Sequence, residues 1–378
     1  MKPVAATLFA LRLPFVEGFV HSQHDRRFSD SIVVAVRDES GVVGFGEGVP
    51  RPYVTGETQD SALDHIANDL WPAVRRRTAR GIHRCLGAVS DLIPEQSIDN
   101  AVSDGASRAA LELALLDTGL KIAGVPMGRL LPPRRSRVVY SGVIEAASLG
   151  SIAVRARAMR LFGLLEIKVK VGSGDDVGRI AMIREIVGPQ VSIRVDANGA
   201  WDFDRALWTI RQMAKLEVSC VEQPLPRGAV SEMAELRRRS PVPLMADESL
   251  VTISDAESLI RSEAVDYFNV RVSKCGGLWR ALRIAQLAEK AHVRLQVGSQ
   301  VGETAILAAA GRHLAATLES VEFVEGSFGT MLLAEDVTCD SVRFGRRGSA
   351  SLLRGPGLGV EVMEKTLRKY AARIIELE

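Results

Sequence analysis

The stretch LLEIKVK at residues 164–170 closes an apolar run on Lys170, and the same pattern returns down the chain. VSIRVD (191–196) ends on Asp196, VSCVE (218–222) on Glu222, PLMAD (243–247) on Asp247 and YFNVRVSK (267–274) on Lys274. These terminal polar residues stand 26, 26, 25 and 27 positions apart. Amphipathic helical stretches such as 202–216 and 277–291 lie between them, so each period reads as strand, helix and parallel strand. The same pitch reaches back to Ile144 in VVYSGVI (138–144) and forward to Ser299 in VRLQVGS (293–299) and Glu325 in VEFVE (321–325). Eight strand ends at one βα pitch predict a (β/α)8 barrel, with its site at the C-terminal strand ends. An open doubly wound sheet shares the alternation but calls for a GxGxxG turn after its first strand. Here Gly44, Gly46 and Gly48 fall in a hairpin, and the Gly172–Gly178 turn lacks that spacing.

The first third has another texture. SIVVAV (31–36) and VVGFGE (42–47) flank Asp38-Glu39-Ser40-Gly41, which predicts a hairpin. Residues 103–121 carry Ala- and Leu-rich helical spacing that stops at Gly124-Val125-Pro126. The N-terminal MKPVAATLFALRLPF reads as a first strand: Arg12 interrupts its apolar run and no small-residue cleavage site follows. These elements predict a small α+β unit.

Composition narrows the function classes. The chain has 378 residues, 48 Lys+Arg against 46 Asp+Glu, and 47% hydrophobic residues. That length buries a large core, and a net charge of +2 gives no electrostatic case for nucleic acid or an anionic membrane. Apolar runs such as Ala305 to Ala310 fall short of the roughly 20 residues that span a bilayer. Cys85, Cys220, Cys275 and Cys339 lie far apart with no CxxC pair, which predicts a reduced, cytoplasmic protein without a cysteine zinc site.

The strand-end residues carry the chemistry. Asp196, Glu222 and Asp247 on consecutive strands would converge in a barrel, where three unpaired acids raise one another's pKa. A hard cation held by oxygen ligands removes that cost, so Mg2+ or Mn2+ is expected, and the lack of His or Cys at these positions argues against zinc. Lys168 and Lys170, at i and i+2, point to one face of their strand. Two ammonium groups near a dication would lower one another's pKa, which suits a general base. The glycines after Cys275 read as a turn opening a helix whose N-terminus can hold a carboxylate.

At these motifs the chain resembles the enolase superfamily, and within it the muconate-lactonizing-enzyme subgroup of the mandelate racemase/muconate lactonizing enzyme family. Lys168-Val-Lys170, Asp196-Ala-Asn198, Glu222-Gln223-Pro224, Asp247-Glu248-Ser249 and Lys274-Cys-Gly276-Gly277 stand in that family's order. So do the helix with Glu112 and the late GPGLGV at 355–360, and the likeness spans nearly the whole chain.

The resemblance implies a barrel over 131–345, an α+β capping domain over 1–130, and a segment 346–378 that returns to it. It makes Asp196, Glu222 and Asp247 the Mg2+ ligands, Lys170 the base on one face, and Lys274 an acid, base or cationic stabiliser on the other. Lys168 tunes Lys170. Asn198, Gln223, Glu248, Ser299, Gln300 and Glu325 become supporting or substrate-side groups. The capping loops at 15–28 and 51–57, with Phe19, His21, His24 and Tyr53, would shape specificity. Superfamily chemistry is abstraction of a carboxylate's α-proton with Mg2+ holding the enolate.

Two departures bear on the outcome. The mandelate-racemase branch carries an Asp after strand 6 and a His after strand 7; here Lys274 and the Ser299 region stand there, and His292 is at the opposite end of its strand. Dipeptide epimerases carry Asp-x-Asp after strand 8, where this chain has Glu325-Gly326-Ser327-Phe328. The expected function is an isomerase in a homo-oligomer, a cycloisomerase acting on a small mono- or dicarboxylate ahead of a dipeptide or N-acyl amino acid epimerase. The alternatives are an o-succinylbenzoate-synthase-like dehydration, a metal-dependent aldolase and a non-catalytic binding barrel.

Overall fold

The computed structural model describes residues 1–20, 25–75, 77–78, 80–93, 104–145, 148–339 and 342–378, without the side chains of 17–20 and 25–26. His21, His24 and the Phe19 side chain thus lie outside the described residues. In chain order the elements begin with strands β1 (Pro3–Val20), β2 (Asp25–Asp38) and β3 (Val43–Gly48), then helices α1 (Gln59–His65), α2 (Trp71–Val74), α3 (Gly87–Ser90) and α4 (Gly105–Ala123). After β4 (Arg137–Val139), β5 (Gly142–Ile144), α5 (Leu149–Phe162), β6 (Glu166–Lys170), α6 (Asp176–Val187), β7 (Ser192–Asp196) and α7 (Phe203–Ala214) follow. The alternation continues through β8 (Val218–Glu222), α8 (Val230–Arg239), β9 (Leu244–Ala246), α9 (Ile253–Arg261), β10 (Tyr267–Val270) and α10 (Leu278–Lys290). It ends with β11 (Arg294–Val297), α11 (Ala305–Thr317) and β12 (Val321–Val324), after which β13 (Ser349–Ser351), α12 (Glu364–Tyr370) and β14 (Ala371–Leu377) complete the chain.

The N-terminal unit is a four-stranded antiparallel sheet in the order β14-β1-β2-β3. Its β2–β3 connection is the expected hairpin: Gly41 N–H donates to the Asp38 carbonyl at 2.9 Å, and Gly41 takes a φ of 85° that favours glycine. The C-terminal strand pairs with β1, Leu8 opposite Ile375. The alternating glycines of β3 are explained by α4, which lies directly on the strand. A Cβ at Gly46 would stand 2.1 Å from the Ala110 carbonyl oxygen, and one at Gly48 would stand 2.0 Å from that of Ala106. A helix can approach a strand that closely only where side chains are missing. These glycines are packing devices, in keeping with their reading as part of a hairpin.

The barrel sheet runs β5 to β12 in sequence order, with every adjacent pair parallel and buried between interior side chains and the outer helices. Ser141 N–H donates to the Val324 carbonyl at 2.8 Å, joining the first and last strands. Two expected strands are corrected. The run 138–144 divides: Arg137–Val139 pairs antiparallel with Ser349–Ser351, and only Gly142–Ile144 enters the barrel. The chain changes partners at Tyr140, whose N–H donates to the Gly348 carbonyl. The run 267–274 stops as a strand at Val270, because residues 271–277 close tight turns, with Cys275 N–H on the Arg271 carbonyl and Gly277 N–H on that of Val272. Lys274 therefore sits in a turn four residues beyond its strand.

Candidate active site

Strand register assembles the acids. Lys170 pairs with Asp196 and Asp196 with Glu222 across β6, β7 and β8, and Asp247 follows the last residue of β9. One carboxylate oxygen from each of Asp196, Glu222 and Asp247 lies within 4.8 Å of the others, and all three side chains are buried. Among the described residues this is the one convergent group of metal-ligand side chains. Its donors are all hard oxygens, a set that fits a divalent cation of the Mg2+ or Mn2+ class.

Cations surround the acids. Lys168 Nζ lies 2.9 Å from Asp196 Oδ2, 2.8 Å from Glu222 Oε1 and 3.2 Å from Glu325 Oε2. Lys170 Nζ donates to Asp196 Oδ2 at 2.6 Å and to Asn198 Oδ1 at 2.9 Å. Lys274 Nζ, fully buried, donates to Asp247 Oδ1 at 2.8 Å, to the Asp247 carbonyl at 2.7 Å and to the Asn269 carbonyl at 2.9 Å. Arg271 contacts Asp247 Oδ2 and donates to Gln300 Oε1 at 2.9 Å.

The acids consequently differ in acidity. Burial and the charge of Asp196 push Glu222 up to about 7, against the pull of Lys168. Burial works against ionised Asp196 too, but Lys168 and Lys170 outweigh it and hold that carboxyl well below the usual range. Asp247 is likewise buried yet held low, by Arg271 and Lys274. Burial lowers Lys168, but Asp196, Glu222 and Glu325 raise it further, and it shares Asp196 Oδ2 with Lys170.

The remaining sequence-predicted residues fall into two groups. Gln223, with a φ of 39°, accepts Asp247 N–H at 3.0 Å and Ser249 N–H at 3.1 Å, bracing the end of β8 to that of β9. Asn198 bridges Lys170 to Glu248, donating to Glu248 Oε1 at 2.9 Å, and the other Glu248 oxygen has no hydrogen-bond partner. Ser299, Gln300 and Glu325 join Lys168, Lys170 and Arg271 in lining a cavity of about 500 Å³ at the barrel mouth. Lys274 and Tyr53 do not line it; Tyr53 sits exposed in the turn following Arg51. The carboxylate at the N-terminus of α10 is the protein's own: Glu112 accepts the Trp279 N–H at 3.0 Å, and a Cβ at Gly277 would meet it. Burial raises the Cys275 thiol above its ordinary value, in keeping with a structural role for that residue.

Sequence reasoning missed the interior polar layer. Arg194 donates to Glu325 Oε1 at 2.7 Å and to Ser141 Oγ at 3.0 Å, while its guanidinium covers Phe323. Asn269 and Gln296 donate to the two oxygens of Glu222 at 2.8 and 3.2 Å. The signal was period-two alternation on β7, where Arg194 precedes Asp196 by two residues.

Residues 151–366 match the family model described as Enolase C-terminal domain-like. N-succinyl-L-Arg/Lys racemase of Bacillus cereus is 32% identical over 376 residues, covering 98% of both chains. The chain belongs to the enolase superfamily. Within it, the muconate-lactonizing group also supplies Muconate cycloisomerase 1 of Rhodococcus opacus, 30% identical over 88% of both chains. The solved racemase from B. cereus superposes with a TM-score of 0.89 over the full length of both chains at 30% identity. The dipeptide epimerase from Cytophaga hutchinsonii, complexed with Mg and D-Ala-L-Val, gives 0.88 over full length at 25% identity. This enolase-superfamily chain is accordingly an isomerase-type enzyme with a (β/α)8 barrel and a buried acidic triad able to hold a metal. Among the described residues no helix is long and apolar enough to cross a membrane.

Proposed function

We propose that the protein catalyses Mg2+-dependent proton transfer at the α-carbon of a small carboxylate, racemising or epimerising that centre. One observation carries the reading. Lys170 on β6 and Lys274 after β10 stand four strands apart in a ring of eight, each hydrogen-bonded to an outer acid of the triad. Two amines on opposite sides of one site can serve the two faces of a planar enolate. Asp196, Glu222 and Asp247 would hold the metal, which when bound stabilises negative charge gathering on the substrate carboxylate. Lys168 and Arg271 balance the remaining charge, and Gln223 fixes the spacing of the acids.

The racemase likeness over the full chain moves epimerisation ahead of the cycloisomerisation that the sequence alone ranks first. Cycloisomerisation is the second reading. Glu325 at the cavity wall and the 30% identity to a muconate cycloisomerase favour it. The test is incubation with Mg2+ and a carboxylate library in D2O, followed by mass spectrometry and chiral analysis. Deuterium at an α-position in both stereoisomers is expected. Exchange that survives complete chelation, or none with any substrate, overturns the reading.

A further inference from the structure

The cavity has two unlike ends. Lys168, Lys170, Arg271 and Glu325 line one of them. The other is walled by Ala158, Met159, Phe162, Leu164, Phe328 and Phe344. Phe344 anchors this wall: it stacks on Tyr140 with ring centroids 5.6 Å apart and meets Phe162 and Phe328 edge-on at 6.2 and 5.7 Å. At the floor, a Cβ on Gly142 would stand 2.7 Å from both Leu164 Cδ1 and Met159 Sδ, so these side chains close directly over the strand backbone. Among the described residues, the charged lining groups besides Lys168, Lys170, Arg271 and Glu325 are Glu145 and Arg155, which pair with each other at 3.2 Å.

We propose that this chamber is a subsite for an apolar substituent of the substrate, aromatic or branched aliphatic, and that it disfavours a cationic one. The proposal deepens the α-proton-transfer reading and rests on it for the placement of the substrate head at Lys170. An apolar arm entering the chamber sheds water against walls already held in place by ring contacts. An ammonium or guanidinium would lose its hydration against aromatic and thioether surfaces, and would meet a carboxylate already neutralised by Arg155. The cavity volume, about 500 Å³, falls within the range of sites that enclose a whole small ligand, so head and arm fit together.

The experiment is calorimetric titration of the Mg2+-supplemented protein with N-acetylglycine, N-acetyl-L-phenylalanine and N-acetyl-L-lysine, which share one head and differ in the arm. The phenyl arm should bind at least about tenfold more tightly than N-acetylglycine, and the lysyl arm no more tightly than N-acetylglycine. Ala158→Phe, at an exposed position of α5, fills the chamber without cutting the core and should remove the phenyl advantage. Equal affinities, absence of measurable phenyl-arm binding, or a phenyl advantage that survives Ala158→Phe overturns the subsite. The same samples in D2O separate the two ideas. The predicted affinity order without α-exchange leaves the subsite standing and counts against proton transfer, whereas exchange without the order removes the subsite alone.

Discussion

Glu112 accepts the backbone N–H of Trp279 at 3.0 Å, so the central helix of the capping unit caps the barrel helix that follows Lys274. The same region is gripped at three further points. A Cβ on Gly105 would stand 2.6 Å from the Lys274 carbonyl oxygen, Asp104 pairs with Arg280 at 2.5 Å, and Val49 N–H donates to Ser273 Oγ at 2.8 Å. Glu47 repeats the device at the next barrel helix, accepting Thr304 N–H at 3.0 Å and Leu307 N–H at 3.1 Å. Buried carboxylates at helix N-termini thus dock one unit on the other, and the turn bearing Lys274 lies inside the joint.

Glu112 should make stability depend on pH. Burial pushes its carboxyl from 4.5 up to about 7, with the Trp279 N–H and Arg108 pulling the other way. Below pH 4.5 the group is protonated in folded and unfolded chains alike; between 4.5 and 7 only the unfolded chain releases its proton. Its contribution therefore falls as pH rises through that window and is lost above it. Glu112→Gln keeps an acceptor for the Trp279 N–H and removes the titration. Relative to wild type, the variant should gain up to roughly 3 kcal/mol between pH 4.5 and 7 in denaturant unfolding. A difference that stays flat, or runs the other way, contradicts the burial argument.

The acids and Lys170 were legible because a βα pitch fixes where strands end, and Lys170, Asp196, Glu222 and Asp247 all lie at or just after such ends. Arg271 was hidden for the converse reason. It lies within an apparently continuous strand running to Lys274, and only the turn closing Cys275 N–H on its carbonyl shows that the strand has stopped. The break at Tyr140 has no local cause, since its new partner, Gly348, is more than 200 residues away. The spacing of Lys168 and Lys170 was legible too, but the three carboxylates within 3.2 Å of Lys168 come from other strands and only the fold brings them together.

Glu222 should trade stability for metal. With burial and Asp196 holding its carboxyl up to about 7, ionisation above that pH is costly in the metal-free protein. Glu222→Gln should abolish turnover and Mg2+ binding, yet leave the metal-free protein as stable as wild type or more so at pH 8. Calorimetric Mg2+ titration and thermal unfolding of the same samples check both halves. A variant that binds Mg2+ normally removes Glu222 from the ligand set.

Arg194→Met should be among the more damaging interior changes. Arg194 is buried and satisfies Glu325 Oε1 at 2.7 Å, leaving Lys168 as partner of the other oxygen at 3.2 Å. Breaking a buried pair strands a charge, so a loss of roughly 3–5 kcal/mol is expected in urea unfolding. Adding Glu325→Gln should recover part of it, because the neutral amide no longer needs the guanidinium. An additive double variant would mean that the two side chains are not coupled.

The two lysines should divide the stereochemistry. Lys170 opens on the cavity from β6, whereas Lys274 is fully buried across the barrel and tied to Asp247 and the Asn269 carbonyl. If each serves one face, Lys170→Ala should slow α-proton exchange of one substrate stereoisomer by about 10²–10⁴-fold and spare the other, with Lys274→Ala giving the mirror pattern. If Lys274 acts only as a fixed cation, its loss slows both isomers together. The ratio of the two exchange rates in D2O is the quantity to follow. Weaker metal binding or partial unfolding, which losing the Lys274 contact to Asp247 can cause, lowers both rates and leaves their ratio unchanged. A ratio that moves in opposite directions in the two variants assigns the faces, and exchange of both isomers at the wild-type rate in Lys170→Ala shows that the base lies elsewhere.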